Sequence, residues 1–213
     1  MCRTLAIALT LLVVSSGVAL AARGDPRERI TPADQARAKA MLLRKADLGL
    51  GFRAGAPPTG SGDFYCRALD ESDLTITGKA ESPTFQGGVE TSSSLARVYR
   101  SARESSASWR RGTSVAGEKC VRAEFGSQMT LRGGTLESFG RVAFPNLAER
   151  TSAYRLVVSS QGLRVFLDVV GLKQGRAQVA LLFGSALTPM PRDVEVGLAR
   201  AVARRMKSAM RGT

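Results

Sequence analysis

The side chains able to do chemistry in this chain of 213 residues are few, and they include no histidine. That absence removes Ser-His-Asp and Cys-His nucleophilic catalysis, histidine zinc sites and histidine pH switches. A Ser-x-x-Lys arrangement would need no histidine, but none of the six lysines has a serine three residues before it. There is no Walker A loop, Rossmann glycine fingerprint or EF-hand loop. Gly87-Gly88 and Gly133-Gly134 lack the flanks of a phosphate cradle and read as turns. Carboxylates remain. Asp70-Glu71-x-Asp73 is the densest acidic cluster. It reads either as a divalent-cation or paired-carboxylate site, or as a turn into the strand at Leu74 with Asp73 bonding local backbone. Neither a metal loop nor glycosidase spacing can be read from it, so the turn is the reading adopted. Glu137 and Asp168 complete the set a carboxylate-dependent hydrolase would draw on, and Asp168 interrupts an apolar strand. No catalytic, cofactor-binding or metal-ligating residue is assigned, and the ligand-binding residues are left unassigned.

Two cysteines follow Cys2: Cys66 and Cys120. Their partner is set by the compartment, and the N-terminus speaks to that. Met1 to Ala22 has the form of a secretory signal peptide: Arg3 in the n-region, Leu5 to Val14 as the apolar stretch, Ala19-Leu20-Ala21 as a small-x-small cleavage site. The apolar stretch is shorter than the roughly 20 residues a bilayer span needs. The expected organisation is a signal peptide at 1–21, a charged leader at 22–30 and a single α+β domain at 31–213. The sequence leaves two readings of the signal peptide open, cleaved or kept as an anchor. A secreted chain meets oxidising conditions, where an isolated cysteine pair closes. A Cys66–Cys120 disulfide would close a loop worth about 4 kcal/mol in the loop-entropy model.

Charge points to polyanions. Lys and Arg number 31 against 18 Asp and Glu, a net charge of +13 that falls to +12 when Arg3 leaves with the signal peptide. Such a field attracts lipid headgroups, acidic wall polymers and nucleic acid. The aromatic content of 6% argues against a base-stacking nucleic-acid surface. A compositional bias towards arginine explains the charge equally well. The expected partner is a lipid or an anionic cell-wall polymer, with no specific nucleic-acid binding, no cofactor, no transmembrane segment in the mature chain and a monomeric state.

The elements that must position these residues follow from periodicity. Thr31-Pro32-Ala33-Asp34 starts a helix and Gly49 and Gly51 stop it. Leu74 to Thr77 alternates as a strand, Gly87-Gly88 turns, and Val89 to Tyr99 runs back. Ser101-Ala102-Arg103-Glu104 is a capping box opening a second helix to about Phe125, with a kink or break near Gly112. Strands are expected at Glu137–Phe144, Ala153–Ser159, Leu163–Val170 and Ala177–Phe183, with hairpin turns at Gln161-Gly162 and Gln174-Gly175. The last two barely alternate, so helices should cover part of both their faces. Val194, Leu198, Val202, Met206 and Met210 form the apolar stripe of a final helix, with Arg200, Arg204, Lys207 and Arg211 towards its other side. Trp109 reads as a core anchor of the second helix. The fold class is α+β: one curved, mostly antiparallel sheet of about six strands packed by three helices, in the order α-β-β-α-β-β-β-β-α.

Several of these features occur together. They are the exported N-terminus, Cys66 ahead of Leu69-Asp70-Glu71-Ser72-Asp73-Leu74-Thr75, Trp109 eleven residues before Cys120, the paired strands around Gly175 and the Arg-rich last helix. In these the chain resembles uncharacterised exported actinobacterial proteins. It is more distantly similar to PknH-like extracellular sensor domains and the Mog1/PsbP-like lipoprotein fold. The resemblance implies a cleft-bearing binding module. Those domains usually carry two disulfides, whereas this chain can form one at most and lacks a lipobox. The expected function is a secreted, non-enzymatic binding or sensor-like module holding an amphiphilic or anionic envelope ligand between the sheet and a helix. A carboxylate-dependent hydrolase of envelope polymers and an interaction subunit of a membrane protein are the alternatives.

Overall fold

The computed structural model describes residues 24–56, 65–131 and 133–211. The signal peptide at 1–21 lies outside them. The described elements are β1 (Arg27–Glu28), α1 (Pro32–Met41), β2 (Arg53–Ala54), β3 (Thr75–Glu81), β4 (Phe85–Gly87), β5 (Glu90–Tyr99), α2 (Ala102–Gly112), α3 (Val115–Leu131), β6 (Gly134–Arg141), β7 (Arg150–Ser160), β8 (Leu163–Gln174), β9 (Ala177–Ala186) and α4 (Arg192–Ala209). The class is α+β, as expected, with a sheet in the order β1-β3-β5-β9-β8-β7-β6. Every pairing is antiparallel except β1 with β3.

Two differences from the expected architecture have local causes. The sheet has nine strands rather than about six. The additions, β1, β2 and β4, span two or three residues each, too short to show a period of two. Through β1 the second half of the charged leader joins the sheet. There are also four helices rather than three among the described residues. The second helix breaks at Gly112, where side chains satisfy the free backbone groups: Thr113 Oγ1 donates to the Trp109 carbonyl, and Ser114 Oγ donates to the Arg111 carbonyl and accepts from the Gly117 N–H. The resumed helix runs to Leu131, past the expected end. α1 stops early, at Met41, because the chain turns out to bury Leu43, whose N–H donates to Ser94 Oγ on β5.

The two strands with continuous apolar runs, β8 and β9, are covered fully on one face and in part on the other, where Leu182 stays exposed. One face carries Ala96 and Val98 of β5, Val179, Leu181 and Phe183 of β9, Val170 and Leu172 of β8 and Ala153 of β7. Ala38 and Met41 of α1 and Leu198, Ala199, Val202 and Met206 of α4 close over it. This is the main core. On the other face α2 lies over Gly171, whose missing side chain makes room for the Trp109 ring at about 3.3 Å from where a Cβ would stand. Trp109 is buried, as a core anchor should be. Beyond it α3 runs along the β6 edge.

Candidate functional site

The edge beneath α3 is where the molecule leaves space. In an α-helix, positions 119, 122, 123, 126 and 130 fall on one flank. In α3 these are Lys119, Arg122, Ala123, Gly126 and Thr130. Together with Thr135 and Leu136 of β6 they line a shallow groove of about 450 Å³ that is broadly open to solvent. The small residues form its middle: a Cβ on Gly126 would meet only Leu136 Cδ2, at 3.8 Å. Lys119 and Arg122 stand at one end, exposed, and neither has an ion-pair or hydrogen-bond partner among the described residues. The groove therefore presents two uncompensated cations, a small apolar floor and wall, and hydroxyls at the far end. A smaller recess of about 370 Å³, lined by Gly51, Arg53, Gln86 and Gly88, has no such apolar wall.

The helix forming this wall is fixed by few ties. Of its 17 residues only Gly117 is buried, packed so that a Cβ would stand 2.3 Å from the Arg111 carbonyl oxygen. Cys120 is bonded to Cys66, as expected, with the two Cα atoms 6.1 Å apart. The bridge pins α3 to the short 3₁₀ turn Arg67–Leu69. Glu118 takes a hydrogen bond of 2.6 Å from Arg141 Nε on β6 and one of 2.9 Å from the Tyr154 hydroxyl on β7. Burial and the nearby Glu118 carboxylate push Tyr154 up to about 12. Its ring stacks on Phe139 at 5.7 Å and lies under the Arg141 guanidinium at 5.5 Å. All these anchors except the contacts along β6 lie in the first third of α3.

The carboxylates of the hydrolase alternative do not converge with one another. Asp73 is held by both terminal nitrogens of Arg111, at 2.6 and 2.8 Å, and Glu71 accepts from Arg97 and from the Tyr99 hydroxyl. Asp70 makes a local backbone bond, accepting from the Ser72 N–H at 2.9 Å. Glu137 pairs with Arg164. Asp168 is buried on the main-core face and takes two bonds from Arg155, at 2.7 and 2.5 Å. Among the described residues no group of three or more Cys, Asp or Glu gathers as a metal site would require.

Asp168 does meet one carboxylate that the sequence did not suggest. Glu195 of α4 is fully buried, and its ionisation is tied to the Asp168 carboxylate beside it. Its Oε2 accepts from Arg192 at 2.8 Å, while its Oε1 has no donor among the described residues. Two acceptors in contact need a proton between them. Burial first, then the Asp168 carboxylate, push Glu195 up to about 8, so it is Glu195 that keeps the proton. Burial also raises Asp168, but the Arg155 bonds outweigh it and hold that carboxyl below the usual range. A signal for Glu195 existed: it sits three residues before Leu198, in the apolar stripe. Val194, expected in that stripe, is instead exposed, which shows the stripe to be rotated by one residue at its start. Burial this complete gives a substrate no access, so the pair locks α4 to β8.

No protein-family model and no curated protein matches the chain. Its structure is similar to that of the extracellular domain of PknH from Mycobacterium tuberculosis, with a TM-score of 0.48 and 10% identity over 84% of this chain and all of that one. It is also similar to an Rv0999 ortholog from Mycobacterium smegmatis, with a TM-score of 0.46 and 13% identity over 82% of this chain and 98% of the other. The likeness to a PknH-type extracellular domain is the one the sequence pattern suggests.

Proposed function

We propose that this chain is an extracellular, sensor-like binding module without catalytic activity, and that it holds an anionic amphiphile in the groove between α3 and β6. The observation that carries the reading is the composition of the groove. Two cations without partners stand at one end of a channel whose middle is made of Ala123, Gly126 and Leu136. Free cations recognise a phosphate or carboxylate headgroup. The small residues and Leu136 leave an apolar track for the part of the ligand that avoids water. The N-terminal pattern and the closed Cys66–Cys120 pair support an oxidising, extracellular setting. No helix among the described residues is long and apolar enough to cross a membrane.

Calorimetric titration with dodecyl phosphate and with uncharged dodecyl maltoside, both below their micelle concentrations, tests this. Saturable binding of the phosphate is expected, weakened about tenfold or more in the Lys119→Gln, Arg122→Gln double variant. No saturable heat with either compound, or equal affinity for both, contradicts it.

A further inference from the structure

We infer that the outer flank of α4 is a docking surface for a linear polyanion, on the opposite side of the sheet from the groove and independent of it. The observation is a row of four cations. Arg200, Arg204 and Lys207 follow one another at i, i+4 and i+7, which places them on one flank of the helix over about 10 Å, and Arg211 follows just past the C-cap Met210. All four are exposed, and none of their side chains has an ion pair, hydrogen bond or ring contact among the described residues. Other arginines of the same helix do find carboxylates: Arg192 pairs with Glu195, and Arg205 takes both oxygens of Asp47 at 2.8 and 2.6 Å. Beyond Glu195 the helix has no acidic residue.

Such a row has an internal cost. Like charges three and four residues apart destabilise a helix by about 0.2–0.5 kcal/mol per pair. The helix dipole compensates cations in the last turn, which covers Lys207, but its influence does not reach back to Arg200. An external anion removes the repulsion along the whole row. The geometry favours a chain over a bilayer. A helix that lies on a membrane offers its apolar face to the acyl region, and the apolar face of α4 is sealed in the main core. The exposed flank has no large apolar side chain to insert: Val194, the exposed one on α4, lies before the row and on a different side. Successive cations are about 4.5–6 Å apart along the axis, so a polymer bearing a negative charge at each short repeat stays in register with them.

The test is binding of long-chain inorganic polyphosphate to the intact protein, followed as a function of NaCl. Three forms are compared: wild type; a row variant with Arg200→Gln, Arg204→Gln, Lys207→Gln and Arg211→Gln; and a control with Arg29→Gln, Arg53→Gln, Arg103→Gln and Arg110→Gln. Both variants lose four charges from exposed positions, and glutamine keeps helix propensity at the helical ones. Four neutralised contacts at about 0.7 each make the wild-type plot of log K against log salt steeper than that of the row variant by about three. At 0.1 M salt the row variant should bind about tenfold or more weakly than wild type, and the control within about twofold. Equal losses in the two variants would mean that net charge alone attracts the polymer and would overturn the inference. So would wild-type protein that binds phosphatidylglycerol vesicles but not polyphosphate.

Discussion

The two faces of the sheet are each covered by a pair of helices, yet they are built on different principles. Under α1 and α4 the cover is continuous apolar packing, and the charges within it are matched in pairs: Asp34 with Arg176, Asp47 with Arg205, Asp168 with Arg155. Under α2 and α3 the apolar cover stops after Trp109. From there α3 is attached at points, by a disulfide, a buried glycine and the Glu118–Tyr154–Arg141 cluster. Continuous packing specifies a structure, because any displacement opens a void. Point attachment fixes a helix while leaving room beside it. The face that determines the fold is thus not the one that offers a ligand space.

The largest effect should come from breaking the packed face. Arg155→Ala leaves the Asp168 carboxylate buried without its partner, and a loss of about 3–5 kcal/mol in denaturant unfolding is expected. A loss below about 1 kcal/mol would show that this face is less sealed than described. Removing the covalent tie of the other face, with Cys66→Ser and Cys120→Ser, should cost up to about 4 kcal/mol. Its location distinguishes the faces: amide exchange should quicken along α3 while α4 stays protected.

The next effect is a pH dependence confined to the packed face. Glu195 is raised from its usual 4.5 to about 8 in the folded protein. A raised carboxyl contributes stability that is complete below about 4.5 and is lost as pH rises through about 8. Asp168, held low by Arg155 against the effect of burial, acts only at more acid pH. The melting temperature of the wild type should therefore fall between pH 5 and pH 8.5 by several degrees relative to Glu195→Gln, which carries its hydrogen permanently. Parallel curves would mean that no proton is shared. The smallest effect belongs to the groove: Gly126→Ala should stabilise by about 1 kcal/mol, because the position is helical and its Cβ meets only ordinary contact.

The same contrast governs what the sequence made legible. Apolar runs bounded by turn glycines made the six long strands readable, an apolar stripe recurring every four residues did so for the last helix, and helix propensity marked the Gly112 break. Short strands were not, because two residues carry no period. The early end of α1 depended on Leu43 reaching Ser94 on β5, a contact 51 residues away in sequence. Glu195 was not singled out in the sequence, because only its partner on β8 makes its burial tolerable. The groove was the least legible part. Lys119, Arg122, Ala123, Gly126 and Thr130 look like an undistinguished helix flank until β6 is set beside them. What the sequence did supply was the Cys66–Cys120 tie and the idea of a ligand between sheet and helix.

The most direct test of the groove is a backbone NMR titration with dodecyl phosphate, run in parallel on wild type and on Gly126→Leu. The leucine side chain would fill the groove floor from a half-buried helical position whose Cβ would meet only Leu136. In the wild type, saturable shifts should centre on Lys119, Arg122, Gly126 and Leu136, and in the variant they should vanish while the rest of the spectrum is kept. Shifts that persist in the folded variant, or that centre elsewhere on the molecule, would contradict the assignment of this groove as the ligand site.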